Sequence, residues 1–271
     1  IRDCFVTGVQ TCALPILLVG LLLCILLVGT WGLGKMSQGK KFAFIHIPKN
    51  AGSSFKKLLL DGESPLSGLV DYVGHSAPAD VYSGDKKTFL VLRNPIERFC
   101  SAFFFRNKHF EVCRAWSKEN GLETPGSYLD YLQNVQIKPN PVMSSGAEKQ
   151  TIVGLRAWPK VFVFQPQSLW FRSPHSVFLQ NNLRADWEFF CSAMGFPQVD
   201  LPTENKGDFD SAEWALSLND LQIRFLRSLY PGDFALWETW SRFDVEMRVN
   251  LRFNQYFCKL FQHCLLIICM S

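Results

Sequence analysis

Phe42-Ala43-Phe44-Ile45-His46-Ile47-Pro48-Lys49-Asn50-Ala51-Gly52-Ser53-Ser54-Phe55 decides the fold. Phe42 to Ile47 is an apolar run long enough for a buried strand and too short for a helix. Pro48 ends it, because proline cannot donate to a sheet ladder. Small residues follow, and then Phe55, Leu58 and Leu59 recur at helical spacing. The unit reads strand, loop, helix. Such a loop aims backbone N–H groups and the positive end of a helix dipole at one point, where an anion can sit. Lys49 adds a full charge, and Ser53 and Ser54 add hydroxyl donors. A Walker A loop carries its lysine late, after G-x-x-x-x-G, and here the lysine leads.

A second unit of the same kind lies downstream. Thr88 to Leu92 reads as a buried parallel strand running into Arg93-Asn94-Pro95, and Pro95 suits the first turn of a helix. In that helix Ile96, Phe99, Phe103 and Phe104 share a face, which leaves Arg98 and Arg106 elsewhere. Arg98 is expected to pair with Glu97 on the helix surface or to brace the loop. Leu69 to Val73 reads as a further strand, followed by Gly74-His75-Ser76-Ala77. Two strand–loop–helix units, each with a basic residue at the strand's carboxyl end, imply an open parallel α/β sheet that binds its ligand at that edge.

The remaining stretches are coarser. Residues 111–150 read as a long polar loop with Pro125, Pro139 and Pro141, a functional segment on the acceptor side. Val161 to Phe164 reads as a short strand. Leu183, Trp187, Phe190 and Met194 mark a helix capped by Gly195. A late helix with Leu218, Phe225 and Leu229 closes at Pro231-Gly232, and the aromatic-rich Asp233 to Trp240 packs across the sheet.

The chain of 271 residues, 48% apolar with 24 Phe and 8 Trp, fits one large α/β domain plus accessory segments. Its net charge of +4 suits anionic ligands and is too small and dispersed for a nucleic-acid binder. The nine cysteines include no C-x-x-C pair and no His/Cys metal spacing, and they neither prove nor exclude a disulfide. Cys100 reads as a small buried hydrophobe. At the amino end, residues 6–16 resemble the translation of a sequencing adapter, so residues 1–16 are set aside as an artefact. Residues 17–34, uncharged and nearly all aliphatic, read as a transmembrane signal-anchor at the short end of the span of about 17–25 residues that a bilayer needs. Residues 35–41 form a short stem, 42–257 the main domain and 258–271 an uncertain tail. Lys35, Lys40 and Lys41 flank the anchor's carboxyl side, which by the positive-inside rule favours a cytosolic domain.

With both units in view, the chain resembles the Golgi carbohydrate sulfotransferases, the group around heparan sulfate 2-O-sulfotransferase. The carriers are His46 to Ser54, similar to that family's 5′-phosphosulfate loop, and Arg93 to Ala102, similar to its 3′-phosphate motif. Weaker echoes are Gly74 to Ala77, Leu201 to Lys206 and Leu229 to Phe234. Asn50 departs from the usual Lys-Thr-Gly/Ala core. The resemblance implies a P-loop-NTPase-like sheet flanked by helices and a donor co-substrate, 3′-phosphoadenosine 5′-phosphosulfate, with a carbohydrate acceptor and no metal. It implies that Lys49 stabilises the leaving phosphate oxygen. Asn50, Ala51, Gly52, Ser53 and Ser54 hold the 5′-phosphate, and Arg93 and Ser101 the 3′-phosphate. His75 is the candidate general base, since a histidine serves at that family position and has a suitable pKa. His46, on the Phe42/Phe44 face, reads as buried support, and Lys206 as an exposed loop lysine. It also implies a single-pass type II Golgi membrane protein with a glycan partner and no nucleic acid. Homo-oligomerisation stays open, as do two other functions: a kinase-like nucleotide enzyme and a non-catalytic glycan-binding protein of the same fold.

Overall fold

The computed structural model describes residues 42–75, 86–135, 162–171, 174–203 and 209–249. Four parallel strands form one sheet: β1 Phe42–Ile45, β2 Val70–Val73, β3 Lys87–Leu92 and β4 Ser176–Leu179, in the order β2-β1-β3-β4. Phe44 stands beside Tyr72 on one side and Phe89 on the other, and Leu90 is beside Val177. Strands buried on both faces read as unbroken apolar runs, and β1 is such a run, buried at all four residues. The connection after β1 leads outward to β2, and the next returns across β1 to β3. The chain therefore changes direction between β1 and β3, the place where ligands sit in such sheets.

Strand residues alternate between two helical layers. Phe42, Phe44, Phe89, Val91 and Phe178 pack under α1 (Gly52–Leu60), α5 (Leu183–Met194) and the end of α9 (Val245–Val249), against Phe55, Leu58, Trp187, Phe190 and Val249. Ala43, Ile45, Leu90, Leu92, Val177 and Leu179 face the other way, onto Trp170, Phe171 and the Leu236 and Trp240 side chains of α8 (Pro231–Trp240). A third cluster lies beside the sheet. There α2 (Pro95–His109) meets α4 (Pro125–Asn134), α7 (Asp220–Leu229) and α8 around Phe99, Phe103, Tyr128, Leu129 and Phe164. α3 (Glu111–Glu119) and α6 (Ser211–Leu216) complete the described helices.

Several expectations change. Residues 111–119 and 125–134 are α3 and α4, not loop. Pro125 opens α4 at its first turn, and Thr124 and Ser127 cap it reciprocally. Phe162–Phe164 is a 3-10 turn, not a strand. The Val163 and Gln165 carbonyls, which a ladder would use, instead accept from the Arg98 guanidinium at 3.3 and 2.7 Å. The fourth strand is Ser176–Leu179, a four-residue run that the sequence reading passes over. Pro231-Gly232 ends α7 and begins α8. Arg98 and Arg106 are both buried, at 3% and 0% exposure. Arg106 is accommodated by Ser117 and Asn107 oxygens, each 3.0 Å away, and by the Tyr128 ring.

Among the described residues no helix is long and apolar enough to cross a membrane. The expected anchor at 17–34, the tail at 258–271, residues 136–161, Ser76-Ala77 and Glu204 to Lys206 all lie outside the described residues.

Candidate active site

A cleft of about 900 Å³ opens at the carboxyl ends of the strands. Each strand sends residues to it: His46, Pro48 and Lys49 after β1, His75 after β2, Arg93 after β3 and Gln180 after β4. Gly52, Ser53 and Ser54 of α1 and Ser101 and Phe105 of α2 line the same space, as does Ala51. The far wall comes from α5 and residues 198–203, with Arg184 held between Glu188 and Asp200 at 3.6 and 3.5 Å.

The loop between β1 and α1 is tight. Lys49 and Ala51 both take left-handed backbone, φ 68° and 57°, which costs a residue bearing a Cβ on the order of 1 kcal/mol. Ala51 occupies the N-cap of α1 and no side chain caps the first turn, whose residues Gly52, Ser53 and Ser54 line the cleft, with the Ser54 N–H closing on the Ala51 carbonyl at 3.1 Å. Gly52 has no substitute here: a Cβ built on it would stand 1.7 Å from the His46 ring.

What keeps the loop bent is a buried polar network. Asn50 is fully buried and its side-chain amide donates to the Val91 carbonyl and to Gln167 Oε1, both at 2.8 Å. Its backbone N–H closes a turn on the Ile47 carbonyl. The Asn50 side chain is therefore turned inward, away from the cleft, and acts on the loop's shape. Gln167 also accepts from the Arg93 N–H at 3.2 Å and donates to the Arg93 carbonyl at 2.9 Å, which ties the two basic strand ends together. Arg98 Nε donates to the Pro48 carbonyl at 3.2 Å, and its Nη1 pairs with Asp233 at 3.8 Å. Asp233 in turn accepts the N–H groups of Gln167 and Ser168, both at 2.8 Å. Burial raises the Asp233 carboxyl above its ordinary value, opposed by Arg98 and those N–H donors. Of the two roles expected of Arg98, bracing the loop is the one found; Glu97 pairs with Arg93 instead, at 3.7 Å.

Lys49 and Arg93 are neighbours. Arg93 Nη1 donates to the Lys49 carbonyl at 3.1 Å, and Nη2 donates to the Ser211 hydroxyl at the start of α6. Lys49 Nζ lies over the Phe105 ring, 4.3 Å from its centre. Burial, with Arg93 and Arg98 nearby, pulls the Lys49 ammonium down to about 8, still charged at neutral pH and poorly hydrated. Burial also lowers Arg93, with Glu97 opposing.

His75 places Nδ1 3.3 Å from the His46 carbonyl, which can only accept; Nδ1 thus carries the proton and Nε2 is the basic nitrogen. Burial lowers its pKa, the bond to His46 opposes this, and Lys56 and Lys49 lower it further. His46 is buried as expected, and burial together with His75, Lys56 and Lys49 lowers it to about 3, so it is neutral. Cys100 is fully buried and its thiol is pushed up to about 12 by burial, an inert packing residue.

Sequence reasoning missed Phe105, Ser211, Gln167 and Asp233. Phe105 was within reach, one helical turn beyond Ser101 on the same face. The other three come from segments at least 66 positions away from the partners they hold. A family model described as the sulfotransferase family matches residues 35–238. No curated protein and no solved structure matches the chain.

Proposed function

The chain belongs to the sulfotransferase family, and from that premise we propose that it moves a sulfuryl group from 3′-phosphoadenosine 5′-phosphosulfate to a hydroxyl of a carbohydrate. The observation that carries this reading is the shared cleft of Lys49 and Arg93, joined through the Lys49 carbonyl at 3.1 Å. Two basic groups from neighbouring strand ends, so close, suit one ligand with two phosphates.

In this reading the N–H groups at the start of α1, with Ser53 and Ser54, hold the 5′-phosphate. Arg93 and Ser101 hold the 3′-phosphate, arginine through its fork of donors. His75 Nε2 takes the proton from the acceptor hydroxyl as its oxygen attacks sulfur. The bond between sulfur and the bridging phosphate oxygen breaks, and Lys49 meets the charge that collects on that oxygen. Little covalent work falls to the protein; positioning and charge neutralisation carry the step. A preorganised donor at such an oxygen is worth about 3–4 kcal/mol.

The test incubates the full chain with labelled donor and a panel of glycosaminoglycans and neutral glycans. Label should reach at least one acceptor, and Lys49→Ala should lower kcat by about two to three orders of magnitude. A Lys49→Ala enzyme as active as the parent would remove the leaving-group role. Anchorage in a Golgi-type membrane through residues 17–34 belongs to the same proposal, and release of the chain from membranes by alkaline carbonate would count against it.

A further inference from the structure

His46 and Tyr72 have no part in the proposed transfer, yet both are tied to the candidate base. The Tyr72 hydroxyl is hydrogen-bonded to His46 Nδ1. The His46 ring lies where Gly52 lacks a side chain, and the His75 ring sits over it with centres 3.9 Å apart at 47°. His75 also meets the His46 carbonyl through Nδ1, and its own carbonyl accepts the Trp170 indole N–H, each at 3.3 Å. The charged groups facing the two histidines are Lys49 from the loop and Lys56 from α1. One strand end therefore supports the base on the next.

We propose that His46 and Tyr72 are positioning residues: Tyr72 holds the His46 ring against Gly52, and His46, through its ring and its carbonyl, holds His75 with Nδ1 protonated and Nε2 as the base. This rests on the reading of His75 given above. A neutral, fixed ring is a suitable backstop, because a charged one would repel the imidazolium that forms when His75 takes its proton. The Tyr72 hydroxyl acts at one remove, since without it the His46 ring can turn away from Gly52 and water can reach His75.

The decisive variant is Tyr72→Phe, which removes one oxygen and keeps the ring that packs beside Phe44. The full chain carries 5 histidines, so the His75 Cε1–H resonance can be assigned by its loss in His75→Gln and followed against pH without donor. In Tyr72→Phe the His75 midpoint should rise toward the ordinary histidine value. At the same time kcat should fall about tenfold, with KM for the donor unchanged. His46→Gln should move both in the same direction. A His75 midpoint that stays put in Tyr72→Phe overturns the proposal whatever the activity, and so does a moved midpoint with unchanged kcat. If the parent transfers no sulfuryl group to any acceptor, the proposed function fails, and the midpoint alone then decides whether the pair holds His75.

Discussion

At the scale of single residues, His46 couples stability to acid. Its pKa is lowered from 6.5 to about 3 in the folded protein, first by burial and then by His75 and the two lysines. Between those values the unfolded chain binds a proton that the folded one refuses, so stability falls as the pH drops through that window and is fully present above it. His75 is lowered too and adds to the same slope. Urea melts of the parent should lose midpoint steadily below pH of about 6.5, and His46→Gln should flatten that decline while the neutral-pH value changes far less. Lys49, Ser53, Ser54 and Arg93 were legible in the sequence because each lies where an apolar run stops and a helix starts. Asn50 was legible as a loop residue and not as a latch, since its direction is set by Gln167, 117 positions away.

At the scale of elements, the helix that follows Arg93 and carries Ser101 also supplies the brace. α2 turns Arg98 to the sheet side, where it reaches the Pro48 carbonyl of one segment and the Val163 and Gln165 carbonyls of another. Helical spacing alone put Arg98 off the apolar face, because periodicity cannot tell a solvated arginine from one with buried acceptors. Asp233 at the start of α8 answers its charge from 1% exposure. Asp233→Ala leaves a buried guanidinium without its carboxylate, which should cost about 3–5 kcal/mol in chemical denaturation. Donor affinity should fall with it, because the loop loses its support. Titration of adenosine 3′,5′-bisphosphate into the folded variant below its melting point reads that second effect. The same competition for carbonyls goes with Phe162–Phe164 forming a 3-10 turn where the apolar run suggests a strand. Residues 111–135 look irregular in sequence because a proline in a polar stretch suggests a loop, whereas behind the Thr124 cap Pro125 begins a helix.

At the scale of the whole molecule, an open parallel sheet with its ligand edge at the strands' carboxyl ends is implied by two strand–loop–helix units, while the strand order is not. Nor is β4, since four residues between His175 and Gln180 carry too little periodicity to stand out. The switch between β1 and β3 puts both basic strand ends on one cleft, and a ligand bearing phosphates at both ends should therefore stabilise the entire fold. A saturating excess of adenosine 3′,5′-bisphosphate, at about 100 times its Kd, should add about 2.7 kcal/mol. ATP with Mg²⁺ should give a smaller thermal shift, and an equal or larger one would favour the kinase-like alternative. The clamp on the loop has a consequence for biosynthesis. Pro48 is steadied by Arg98, Arg98 by Asp233, and Asp233 also gathers in residues 167 and 168. A nascent chain that has just emerged through α2 already carries Lys49, Ser53, Ser54, Arg93 and Ser101 but lacks the carboxylate that balances its buried Arg98 guanidinium. The bend after β1 therefore gains its last support only once translation has carried the ribosome well past position 233.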